Sequence, residues 1–107
     1  MLRYLIFGAG AVGTLLGGLL AKAGHSVVFI GRQWNVDAIR ARGIHISGVW
    51  GEHIVTPQPA YENVQEIPGD SRHFDHIYIT VKAFDTPWAV AECLPVLGDA
   101  TLVISCQ

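Results

Sequence analysis

Leu5-Ile6-Phe7-Gly8-Ala9-Gly10-Ala11-Val12-Gly13-Thr14-Leu15-Leu16 decides the fold. A short apolar run enters Gly-x-Gly-x-x-Gly, and an apolar pattern of helical period leaves it. Strand, tight turn and helix in that order aim the unpaired N–H groups and positive end of a helix beyond the turn, where an anion such as a pyrophosphate is favoured. Each glycine has its own task. Gly8 permits the tight turn, Gly10 has no side chain to hold an approaching ligand away, and Gly13 lets the helix lie close on the strand. Many chains carry three glycines at this spacing, so the flanks must supply the specificity.

On the amino-terminal side, residues 2–7 are apolar apart from Arg3, which predicts a strand covered on both faces of a parallel sheet. On the other side, Val12, Leu15, Leu16, Leu19, Leu20 and Ala23 fall on one helical face. Gly17 and Gly18 each cost such a helix about 1 kcal/mol relative to alanine, an expense that close packing on the sheet or on another domain offsets. Gly24 is a left-handed cap. Val27-Val28-Phe29-Ile30 is a second strand ending at Gly31-Arg32. A short helix follows from Asn35, its expected N-cap, to Arg42, and Gly43 stops it.

Ile44-His45-Ile46-Ser47 alternates and turns back near Val49-Trp50 through His53-Ile54-Val55, which predicts a β-ribbon ended by Pro57 and Pro59. Residues 60–75 are mostly polar, with one turn of helix near Glu62 to Glu66. A buried strand lies within residues 74–82. Thr86-Pro87-Trp88 opens a helix with Thr86 as N-cap, distorted near its end by Pro95. Thr101-Leu102-Val103-Ile104-Ser105 is the last strand. The order β-α-β-α-β-(β)-β-α-β predicts a Rossmann-type α/β fold: a parallel sheet with right-handed crossovers and helices on both faces. Ligands of such sheets bind beyond the carboxyl ends of the strands. Residues 8–13, Gly31-Arg32, Lys82 and Gln107 all fall at or just past such ends.

The 107 residues suffice for one domain, and they are 50% hydrophobic and 15% charged. That is apolar for so small a domain, which must cover much surface, and predicts burial of part of it against something else. A homodimer is compatible with that surface. The net charge of −2 recommends neither nucleic acid nor an anionic membrane as partner. Residues 5–21 are uncharged and largely apolar, a pattern that a signal peptide or membrane helix also shows. The five glycines in the run, at nucleotide-binding spacing, and the second strand just after it argue against both. Cys93 and Cys106 lack any framework spacing and read as reduced thiols of a cytoplasmic protein.

The unphosphorylated dinucleotide is usually held by an Asp or Glu about 20 residues past the glycine turn, through its ribose hydroxyls. The second strand ends instead in Ile30-Gly31-Arg32-Gln33, with no acid in reach. Arg32 is a permanently charged fork suited to a phosphate. A missing acid and a present arginine together predict NADP rather than NAD.

These residues resemble the ketopantoate reductase (2-dehydropantoate 2-reductase) family over the whole chain. The likeness rests on Gly8-Ala9-Gly10-Ala11-Val12-Gly13, on Gly31-Arg32, and on Arg40-Ala41-Arg42-Gly43-Ile44 leading into a short ribbon. It continues with Phe74-Asp75, which opens the strand ending Thr80-Val81-Lys82-Ala83-Phe84, and with a final Leu102-Val103-Ile104-Ser105-Cys106-Gln107 like the family strand that runs into Asn-Gly. The resemblance implies hydride transfer from NADPH to ketopantoate, giving pantoate for pantothenate and coenzyme A synthesis. It implies that Gly8, Ala9, Gly10, Ala11, Val12 and Gly13 hold the pyrophosphate and Arg32 the 2′-phosphate. Val81 would line the adenine side, with Lys82 near the mouth of the site. Asp85 stands where the family often has glutamine.

The family's general-acid lysine and substrate-binding residues lie in a helical second domain, so residues 1–107 are expected to be an amino-terminal NADP-binding domain with no catalytic residue of its own. The 2-keto acid would be met through that second domain. Two alternatives stand beside this: a reductase of another 2-keto acid or a polyol, and a non-catalytic nucleotide sensor governing a transporter or transcription factor. The five histidines offer no metal site. His45 with His53 as cross-strand neighbours, and His73 with His76, bring no third ligand at zinc spacing.

Overall fold

A computed structural model describes residues 2–48, 51–81, 86–98 and 101–105. Strand β1 (Arg3–Phe7) leads through the glycine turn into α1 (Ala11–Lys22), and β2 (Ser26–Ile30) into α2 (Gln33–Arg42). A two-stranded antiparallel ribbon follows, β3 (Ile44–Ile46) with β4 (His53–Val55). Then come β5 (Ala60–Tyr61), two 3-10 turns at Val64–Glu66 and Gly69–Ser71, and β6 (His76–Ile79). The chain continues into α3 (Thr86–Cys93), a 3-10 turn at Leu94–Val96, and β7 (Leu102–Ser105).

The five strands of the main sheet lie in the order β5-β2-β1-β6-β7, and every pairing is parallel. Strand side chains alternate between two cores. On one face Leu5, Phe7, Val28, Ile30, Ile77 and Ile79 pack with Ala89 and Cys93 of α3 and with the buried Phe74. On the other, Tyr4, Ile6, Val27 and Phe29 pack with Val36 and Ile39 of α2 and with leucines of α1. Both faces are thus covered by helices, as the nearly unbroken apolar strands require. From β1 the chain steps outward to β2 and β5, then returns across β1 to β6. That reversal opens a crevice at the carboxyl ends of β1 and β6, the topological switch point.

Several expectations change in detail. Helix α1 does not bury the leucine face: Val12 is 53% exposed and Ala23 is exposed, whereas Gly13, Gly17 and Gly18 are buried. A β-carbon at Gly17 would run into Phe29 and Ile6, and one at Gly18 into Ile46. The helix therefore lies with its side-chain-free stripe on the sheet and ribbon, and Leu15, Leu19 and Leu20 pack from its flanks. Its end is the expected left-handed glycine, in a Schellman arrangement. Gly24 N–H donates to the Ala21 carbonyl (3.0 Å) and His25 N–H to that of Leu20 (3.1 Å).

Helix α2 begins at Gln33 rather than after Asn35, with Arg32 as its N-cap and no side-chain cap, so Asn35 sits inside the first turn. The polar stretch hides a strand. Phe29 N–H donates to the Pro59 carbonyl (3.0 Å) and Gly31 N–H to that of Tyr61 (3.1 Å), which fastens β5 to the outer edge of β2. The turn near Glu62 to Glu66 is a 3-10 turn closed by a capping box between Asn63 and Glu66. As expected of Pro95, the α-helical part of α3 stops at Cys93.

Arg3, the one charge in the β1 run, ties the loop before β6 to the sheet. Its guanidinium donates to the carbonyls of His73 (2.7 Å) and Ser71 (2.8 Å) and lies 5.2 Å from the Phe74 ring centroid. Its backbone N–H donates to the Asp75 carboxylate (2.8 Å). Among the described residues no helix is long and apolar enough to cross a membrane. The uncharged run 5–21 is divided between a strand, a turn and a 12-residue helix.

Candidate dinucleotide site

The glycine turn is built by three constraints. Gly8 adopts φ +126°, a conformation that side-chain-bearing residues rarely take, and its N–H donates to the Ile30 carbonyl (2.8 Å). Thr80, just past β6, clamps the turn from the other side: its hydroxyl donates to the Gly8 carbonyl (2.7 Å) and its N–H to that of Phe7 (2.9 Å). Gly13 brings α1 so close that a β-carbon there would collide with the Gly8 carbonyl oxygen. Gly10, by contrast, faces open space, with no atom within 4 Å of where a β-carbon would stand.

Gly10 is also the N-cap of α1. No side chain caps that end, and its first turn holds no acidic residue. An uncapped, uncountered helix N-terminus behind a bare glycine is the arrangement that binds a diphosphate. Thr14 stabilises the turn by donating from its hydroxyl to the Gly10 carbonyl (2.8 Å).

A cavity of about 720 Å³ opens at the carboxyl ends of β1, β2 and β6. Of the residues singled out from the sequence, it brings together Gly8, Ala9, Arg32 and Val81. Gly10 and Gly13 belong to the turn rather than to the cavity wall. Ala11 and Val12 are exposed, and Ala11 borders a second, shallower hollow against β3. Lys82, Asp85 and Gln107 lie outside the described residues, as do Cys106 and the ribbon turn at Val49-Trp50.

Arg32 extends beyond β2 with its guanidinium 5.5 Å from the centroid of the exposed Trp34 ring. Cation–aromatic contact of this kind holds the cation at the mouth without neutralising it. Across the cavity Trp88 of α3 meets Phe7 edge-on at 5.4 Å. Two aromatic walls, a cation and the first half of the glycine turn therefore surround one space.

Two residues escaped the sequence reading. Trp34 lines the cavity because α2 starts early, at Gln33. Glu62 lines it too, so an acid borders the cavity although the end of β2 itself carries none. The carboxylate comes from the neighbouring strand β5, about thirty residues further along, where a two-residue strand in a polar stretch leaves no periodic signal.

The histidine ribbon is likewise corrected. His45 lies opposite Ile54, and His53 opposite Ile46, so the two imidazoles point to opposite faces. His45 instead meets the Glu52 carboxylate at 2.6 Å. Among the described residues no group of three His, Cys, Asp or Glu gathers to hold a metal. Cys93, the last residue of α3, is buried in the core, and desolvation, with a smaller push from the Glu92 charge, raises its thiol from 9.0 to about 11.

Residues 4–107 match the family model described as ketopantoate reductase PanE/ApbA. The chain is 37% identical over 106 residues to a 2-dehydropantoate 2-reductase of Pyrococcus horikoshii, covering 99% of the chain and 33% of that protein. A 2-dehydropantoate 2-reductase of Aquifex aeolicus is 31% identical over 107 residues, of which the chain covers 32%. The crystal structure of a PanE/ApbA family ketopantoate reductase from Ralstonia eutropha JMP134 superposes with a TM-score of 0.83 at 34% identity, over 98% of this chain and 34% of that one. The chain thus spans about a third of the length of the relatives it matches.

Proposed function

The chain belongs to the ketopantoate reductase PanE/ApbA family, and on that premise we propose that residues 1–107 are the NADP(H)-binding domain of a cytoplasmic 2-dehydropantoate 2-reductase. Such an enzyme reduces ketopantoate to pantoate on the way to pantothenate and coenzyme A. The observation that carries the reading is the meeting of Gly8 and Ala9, which lead into the uncapped α1 N-terminus, with Arg32 at one cavity. The cavity and the turn beside it fit a phosphorylated dinucleotide: the α1 amides and Gly10, next to Gly8 and Ala9 of the cavity wall, take the pyrophosphate, and Arg32 takes the 2′-phosphate in bidentate fashion. Val81, partly buried against the sheet core, offers an apolar edge to the adenine.

When bound, the dinucleotide supplies the hydride. This chain's own residues bind and orient it, and the general acid and keto-acid contacts come from the rest of such an enzyme. The 107 residues alone therefore turn over no ketopantoate. Titration of NADPH and NADH against the tryptophan fluorescence of the chain tests the reading, since Trp34 and Trp88 both line the cavity. NADPH binds more tightly, and Arg32→Ala weakens it roughly ten- to a hundredfold, the scale of a lost charge-assisted contact, with little change for NADH. Equal affinity for both dinucleotides would remove the case for Arg32.

A further inference from the structure

The cavity holds two opposite charges that do not neutralise each other. Arg32 stands past the end of β2 and Glu62 past the end of β5, and both line the same space. Their placement is fixed by backbone pairing: Ile30 is in register with Tyr61, and Gly31 N–H donates to the Tyr61 carbonyl (3.1 Å), so Glu62 runs alongside Gly31-Arg32. Adjacent strands lie about 4.8 Å apart, which brings the Glu62 backbone alongside Gly31-Arg32 at the cavity.

The loop that carries Glu62 is stabilised without its carboxylate. The backbone N–H groups of Glu62 and Asn63 both donate to the Glu66 carboxylate (3.1 Å each), and Glu66 N–H donates to the Asn63 side chain (3.2 Å). Among the described residues the one ion pair joins His45 to Glu52, so neither Arg32 nor any other described cation pairs with Glu62. Glu62 is exposed and lines the cavity, with a charge that no described ion pair takes up.

In dinucleotide folds a carboxylate at this end of the sheet accepts hydrogen bonds from the adenosine ribose hydroxyls, and it repels a 2′-phosphate. That carboxylate usually ends the second strand, and here β5 supplies one instead. We propose that Glu62 is a specificity-determining residue of the dinucleotide site. Its carboxylate accepts from the ribose of an unphosphorylated dinucleotide and opposes the phosphate that Arg32 attracts, and so holds the preference for NADPH below what Arg32 alone would set. The proposal rests on the dinucleotide-binding reading given above.

The test compares wild-type chain with Glu62→Gln, which removes the charge and keeps the shape, in titrations of NADPH and NADH at low salt. A like charge within several ångströms at a solvated surface predicts tighter NADPH binding by about fivefold. NADH binding is unchanged or weaker, so the ratio of the two affinities moves toward NADPH by roughly five- to tenfold. The gain shrinks in high salt, as screening demands. Glu62→Lys moves the ratio further the same way. Thermal melts of the variants overlay that of the wild type, since only the Glu62 backbone serves the loop.

A ratio that stays within twofold of wild type in both variants overturns the role of Glu62 while leaving dinucleotide binding intact. If the wild-type chain binds neither dinucleotide, the site reading falls and this inference falls with it.

Discussion

Gly10 and Gly13 belong to one motif, yet alanine at the two positions should fail in different ways. At Gly13 a methyl group meets the Gly8 carbonyl oxygen, with Thr80 Oγ1 at 2.8 Å and the Gly8 carbonyl carbon at 3.0 Å. Two of those atoms are backbone, in a turn already held by the bonds to Ile30 and Thr80. The helix must move, and with backbone as the obstacle the cost lies at the upper end of the overpacking range, about 3 kcal/mol. Replacing a helical glycine by alanine returns up to about 1 kcal/mol. The net loss is about 2 kcal/mol, which lowers the melting temperature of a domain this size by roughly 10 °C.

At Gly10 nothing stands within 4 Å, and φ −83° with ψ −161° suits any residue. The weaker capping of alanine is offset by the reduced freedom of its unfolded chain, leaving stability within about 0.5 kcal/mol of wild type. Its methyl group instead projects toward the α1 N-terminus, and NADPH affinity falls at least about tenfold. Circular-dichroism melts and dinucleotide titrations of both variants separate the outcomes. A Gly13→Ala melt that overlays wild type, or a Gly10→Ala melt as low as that of Gly13→Ala, would refute the division of labour.

Three further outcomes follow from contacts elsewhere. Arg3→Ala frees the loop before β6 from the sheet, removing bonds to the His73 and Ser71 carbonyls, and costs about 2 kcal/mol in urea unfolding. Thr80→Val keeps the volume but leaves the Gly8 carbonyl without its 2.7 Å partner, so stability falls by about 1 kcal/mol and NADPH binding weakens with it. Cys93 keeps its proton up to about 11 in the folded chain but releases it near 9.0 when unfolded. Stability is therefore complete below pH 9 and declines as pH rises through the folded value, and Cys93→Ala in a Cys106→Ser background flattens that decline. In that background, iodoacetamide at pH 8 modifies Cys93 at the rate of unfolding.

Elements announced by side-chain periodicity were legible in the chain. The apolar runs of β1, β2, β6 and β7, the ribbon, and the break at Pro95 all stand where their residues place them. The buried face of α1 was not legible, because hydrophobic patterning counts side chains. The closest approach to the sheet goes to Gly13, Gly17 and Gly18, which have none. Strand β5 escaped for another reason: two residues held by backbone bonds to β2 leave no pattern. With β5 went Glu62, so half of the charge balance in the cavity was hidden. Arg32 was legible because it follows a strand end directly; Glu62 reaches the same space only through the sheet.

One crevice, at the carboxyl ends of β1, β2 and β6, is proposed to receive the dinucleotide. An amide-detected NMR titration of the isotopically labelled chain with NADPH tests it most directly. The largest shifts are expected on Gly8, Ala9, Gly10, Ala11, Gly31, Arg32 and Val81, while the ribbon strands Ile44–Ile46 and His53–Val55 stay still. Shifts centred on the ribbon, or none at millimolar NADPH, would contradict it.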